Sequence, residues 1–185
     1  MIIKNKKAAM EMSVGTIVTI VLLMSVLILG IFLVQNIFKS AKGAVDLTDE
    51  QLKNEINKLF AEDKKLAVYP GNRLVEIKQE EVDGVGIGIK NLLKGAEGTK
   101  TFSYEVILAD SSNCGANSES AVSKWIKTGR TESGIPIPVG DLSIQKVTFE
   151  IPTGTPLCIA RFRINVNTEG AAYATEFFDI SVQPK

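Results

Sequence analysis

From Met12 to Phe38 the chain carries no charged residue, and Val14–Val34 (VGTIVTIVLLMSVLILGIFLV) is apolar almost throughout. No other feature narrows the choice of fold as much. As a helix those 21 residues would extend about 31 Å at 1.5 Å per residue, the thickness of a bilayer's hydrocarbon core. Buried helices of water-soluble domains seldom run so far without a charge, so the stretch is expected to cross a membrane. A secretory signal is the rival, but its apolar region is only about 7–15 residues long and ends in a small-x-small cleavage site. Here cleavage after Ala41 would put Lys39 at the third position upstream, and cleavage after Ala44 would put Lys42 there. Neither is small, and the segment reads as an anchor that stays with the chain.

Orientation follows from the flanking lysines. Lys4, Lys6 and Lys7 precede the span; Lys39 and Lys42 follow it and are soon diluted by Asp46, Asp49 and Glu50. The expectation is a single-pass membrane protein with a cytoplasmic amino terminus and residues 39–185 extracellular. That exported part holds 18 basic and 20 acidic residues, a formal charge of −2, which provides little steering of a charged partner.

Composition removes more chemistry than it suggests. The 185 residues hold 21 basic and 21 acidic side chains, and this balance argues against nucleic acid as a partner. There is no histidine, which excludes Ser-His-Asp and Cys-His catalysis and every His-ligated metal site. Two cysteines are too few for a structural zinc site or an iron–sulfur cluster. Cys114 and Cys158 stand 44 positions apart, and outside the cytoplasm they are expected to form a disulfide. On the chain-entropy model such a bridge is worth about 4 kcal/mol. Two separate buried thiols are the alternative.

The chain divides into a basic leader (1–11), the apolar helix (12–38), a joint with an amphipathic helix (39–72) and a β-rich domain (73–185). Thr48 and Gln51 form a capping box, Leu47 and Leu52 a hydrophobic staple. Leu52, Ile56, Leu59 and Phe60 then fall on one stripe, with Lys53, Asn54, Asn57 and Lys58 toward water. Packing of this stripe on the following domain is preferred to the lipid surface. Pro70-Gly71-Asn72 marks a turn.

Beyond Leu74 the period changes to two. Leu74–Lys78, Val85–Ile89, Phe102–Leu108, Val147–Ile151, Phe162–Val166 and Phe178–Val182 alternate apolar with other residues between turn-rich stretches. The expected fold is mainly β: an antiparallel Ig-like β-sandwich preceded by a long transmembrane helix and a short amphipathic one. Residues 118–129 fit a short helix capped by Gly129 and, equally, a strand through VSKWI.

No catalytic residue, metal site or cofactor site emerges. Gly84-Val85-Gly86-Ile87-Gly88 lacks the spacing and the following helix of a dinucleotide loop; it reads as a strand with one bare face, over which another element packs. The oxygen-rich loop Asp110–Glu119 lacks an EF-hand's alternating acids. Glu80, Glu81 and Asp83 read as a solvated turn, although paired carboxylates also serve glycoside hydrolysis. Trp125 reads as core.

Glu11 stands at the cytoplasmic mouth of the apolar run, behind Lys6-Lys7-Ala8-Ala9-Met10. A carboxylate in a helix's first turn is stabilised by the dipole and stays hydrated at the interface. It also has an assembly role open to it: pairing with the new ammonium of a neighbouring, shortened chain, which offsets the burial of both charges. The order of basic leader, small-residue junction, carboxylate, long apolar helix and exported β-domain resembles archaeal type IV pilins with class III signal peptides. The resemblance implies a prepilin peptidase cutting after Lys7-Ala8, with Ala9 the first mature residue, and a helix that becomes the core of a filament. Glu11 would then be third rather than fifth in the mature chain, a departure from the common pilin pattern. It covers roughly the first 40 residues. The region from Lys146 to Val182 is also similar to the last strands of Ig-like modules in prokaryotic surface proteins, at the level of fold alone. The expected function is therefore a non-catalytic, membrane-anchored surface subunit that self-associates, with lipid as its first partner and no cofactor. An uncleaved anchored module for binding or adhesion is the alternative, and an anchored carboxylate hydrolase the distant third.

Overall fold

The computed structural model describes residues 6–39, 44, 47–60, 64–93, 98–115 and 118–185, with the N-terminal helix's side chains given for residues 15–33. The chain forms two compact units, Met1–Ser40 and Ala41–Lys185. The first is one helix, α1 (Lys6–Lys39). Within it Gly15–Leu33 has a mean hydropathy of 2.9 and is long and apolar enough to span a bilayer; none of its side chains is buried among the described residues. Thr19 and Ser25 return their hydroxyls to the carbonyls four residues back, Gly15 and Val21. This satisfies these two hydroxyls within the helix itself.

The second unit is mainly β, a sandwich of two sheets. Its strands are β1 (Leu66–Tyr69), β2 (Leu74–Lys78), β3 (Val82–Lys90), β4 (Thr99–Asp110), β5 (Ile126–Thr128), β6 (Thr131–Pro138), β7 (Leu142–Glu150), β8 (Ile159–Thr168) and β9 (Ala171–Gln183). One sheet has the order β1-β3-β7-β5, the other β2-β9-β8-β4-β6. Inward residues of both sheets fuse into one core. At its centre Phe149 of the first sheet meets Phe162 and Phe178 of the second, ring centroids 5.0 and 5.7 Å away. Trp125 is buried in the same core.

α2 (Asp49–Leu59) opens with the expected capping box: Thr48 and Gln51 exchange side-chain and backbone hydrogen bonds. Its buried residues, Leu52 and Ile56, rest on the glycine face of β3. A methyl group on Gly86 would meet Leu52 at 2.6 Å, and one on Gly88 would meet Phe60 at 2.7 Å and strike Ile56. The bare strand face is therefore a seat for α2, and β3 is buried from Gly84 to Ile89. Lys146 adds an ion pair to Asp49 at 3.7 Å.

Four details correct the expected architecture. A strand, β1, already lies within residues 39–72, pairing antiparallel with β3 through Leu66↔Ile89. β6 carries Pro136 and Pro138, which the sheet admits because β6 is its edge. The sheets are not wholly antiparallel: β2 runs parallel to β9. Residues 118–129 follow neither alternative whole: α3 (Ser118–Val122) and a 3-10 turn at Ser123–Trp125 stop short of Gly129, and of VSKWI only Ile126 enters a strand, β5.

Candidate functional site

The feature of α1 that asks for a partner is its surface. From Ile17 to Leu33 every large apolar side chain is between 50% and 66% exposed, on all sides of the helix. A helix apolar all round is stable only when lipid or other helices cover it. The backbone of α1 runs through Lys7, Ala8, Ala9 and Glu11. Their side chains, and the leader residues before Lys6, lie outside the described set, so the cleavage junction and the Glu11 pairing have no geometry to report.

In the second unit the two cysteines do bond. Cys114, in a 3-10 turn after β4, joins Cys158 just before β8, with Cα atoms 5.1 Å apart. The bridge fastens the α3 loop to the loop Pro152–Leu157. Between these loops is a cleft of about 310 Å³ lined by Cys114, Ala121, Val122, Trp125 and Pro152–Pro156. A broader cleft of about 570 Å³ opens between α3 and β4, lined by Ile107, Leu108, Glu119, Ser120, Ser123 and Arg130. Arg130 donates to the Ser123 carbonyl. A third, of about 580 Å³, runs from Lys53 and Asn57 of α2 and from Phe60 just after it to the turn between β6 and β7.

The carboxylates singled out in the sequence occupy structural positions. Glu80 sits in the turn before β3 and pairs with Lys185, whose hydrogen bond holds its carboxyl below the usual range. Glu81 faces Lys78 at 3.6 Å. Asp83 Oδ1 accepts from the Gly84 N–H at 2.7 Å. In the oxygen-rich loop Asp110 accepts from the Ser112 N–H at 2.9 Å, which lowers its pKa, and the Ser118 hydroxyl bonds Ser111. Among the described residues no three His, Cys, Asp or Glu side chains gather in a metal-binding group.

Sequence reasoning overlooked the outer face of the second sheet. There Arg161, Arg163 and Ile159 alternate along β8 beside Phe177 and Asp179 of β9. Only the sheet register shows that these residues are neighbours; the one signal in sequence was the basic pair in ARFRIN, two positions apart.

No family model matches the chain, and no curated protein does. Two solved structures resemble the chain distantly, over about two thirds of its length. The CARDB domain of a Pyrococcus furiosus protein, solved in complex with di-metal ions, is 13% identical, covers 68% of this chain and 97% of that one, and has a TM-score of 0.42. A Niemann-Pick type C2 protein from the Japanese carpenter ant is 11% identical, covers 65% and 90%, and has a TM-score of 0.38.

Proposed function

We propose that the chain is a non-catalytic surface subunit, anchored by α1 and assembling with its own copies through that helix in the manner of a pilin. One observation carries this reading: α1 exposes an unbroken apolar surface that its own chain leaves uncovered. In water that surface would drive aggregation; in a bilayer it is solvated, and beside identical helices it becomes a packing surface. On this reading the exported unit faces outward. Its disulfide supports that compartment, because such bonds persist where the surroundings oxidise thiols. The Lys7-Ala8 junction and Glu11 then serve maturation and assembly.

The bilayer match favours a second reading just as well. Gly15–Leu33 spans about 28 Å as a helix, enough to anchor a module that never leaves the membrane. The mature amino terminus separates the two. Mass spectrometry of the protein from its native membrane is expected to show a start at Ala9; a chain beginning at Met1 leaves the anchored-module reading and removes the pilin one.

A further inference from the structure

The last stretch of β6, an edge of its sheet, offers no backbone donor to a strand that would add outside it. The Val139 N–H turns inward to the Gly98 carbonyl, just before β4, at 3.1 Å, and Ile137 stands opposite Lys100 of β4. Backbone polar groups alternate in direction along an extended strand, so an N–H at position 136 or 138 would point away from β4. Both positions are proline, which has none. The Pro138 carbonyl accepts from the Asp141 N–H at 3.0 Å, which leaves the Pro136 carbonyl as the outward acceptor. Crowding does not account for this arrangement. Pro136 and Pro138 are exposed, between the buried Ile135 and Ile137, and they border the third cleft. Toward its start β6 is interrupted in another way. Its register against β4 shifts between Phe102 and Tyr104, and Gly134, at a φ of 75°, falls inside that shift. A bulge of this kind bends an edge out of line with an added strand. β5, an edge of the other sheet, is joined to β6 by Gly129 and Arg130 and has only three residues.

Such edges matter most where identical copies are held together. Chains anchored in one membrane keep their β units at high effective concentration. Two β6 edges could then pair antiparallel about a two-fold axis, because each presents the same surface. In that pair a proline's missing donor is lost from both copies, and the carbonyls facing it stay unpaired. We propose that Pro136 and Pro138 close the β6 edge to a second copy of the chain, so that β units sharing a membrane do not join strand to strand. The inference applies to a filament subunit and to an anchored module alike, since both crowd the same unit in one membrane.

The test reconstitutes the full chain into phosphatidylcholine vesicles with a photoreactive benzoyl-phenylalanine at Val139, the exposed residue that follows β6. The chain with both prolines is expected to give few chain-to-chain adducts. Pro136→Thr combined with Pro138→Thr returns both donors at exposed positions and should raise the yield at least tenfold, on the order of what a few recovered hydrogen bonds provide. Pro136→Thr alone should fall between. Thermal unfolding curves that match the unaltered chain exclude misfolding as the cause, and a rise confined to variants that unfold earlier overturns the proposal. So does a yield indifferent to the substitutions. Abundant adducts from the chain with both prolines would show that the edge is already an interface, and overturn it as well.

Discussion

Asn91 shows how much a single polar residue holds. It is fully buried where β3 ends, its amide donating to the Ile137 carbonyl at 2.8 Å and its side-chain oxygen accepting from the Leu93 N–H at 3.2 Å. Beside it the Tyr173 hydroxyl donates to the Lys90 carbonyl at 2.6 Å and accepts from the Leu92 N–H at 2.9 Å. Asn91→Ala strands the Ile137 carbonyl, and chemical denaturation of the β unit should report a loss of about 1–3 kcal/mol. An unchanged midpoint would mean that water replaces the amide. Tyr104 supplies a pH dependence. Burial first, and Glu132 second, push its hydroxyl up to about 12 from an ordinary 10.0. The unfolded chain releases this proton at the lower value and the folded one at the higher. The stability associated with the neutral phenol is therefore complete below the unfolded pKa and lost as pH rises from there to about 12. Tyr104→Phe should remove that slope; alkaline unfolding curves that coincide for both proteins would contradict it.

Among the elements, the seat of α2 on β3 was the most legible in sequence, because two local signals agreed. Thr48 and Gln51 announced the helix start, and Gly86 and Gly88 announced a strand face bared for something to cover. Gly88→Val should cost about 1–3 kcal/mol by overpacking and lift α2 from the sheet. Limited proteolysis would detect it as faster cutting within Asp49–Leu59; a rate equal to that of the unaltered protein would show that Ile56 and Phe60 can move aside. Other elements were hidden for stated reasons. β1 has four residues, too few to display a period, and its identity depends on pairing with β3. Pro136 and Pro138 argue locally against a strand, and only the edge position of β6 permits one. The parallel pairing of β2 with β9 joins residues about a hundred positions apart, a fact of topology rather than of local pattern. The outer face around Arg163 shares that origin, since its residues come from three strands.

At the scale of the whole molecule, two units with opposite solvent demands share one chain. Ala41–Lys185 closes its own core, with four buried phenylalanines and a disulfide between distant loops. The helix before it closes nothing: its large apolar residues within Ile17–Leu33 all stay exposed. Everything proposed about anchoring, export and assembly descends from that contrast. The extraction behaviour of the native protein tests it most directly. Washing its membranes with alkaline carbonate and then with mild detergent should leave the full chain in the pellet after the first step and release it in the second. Recovery of the full chain in the soluble fraction before any detergent is added would contradict the account.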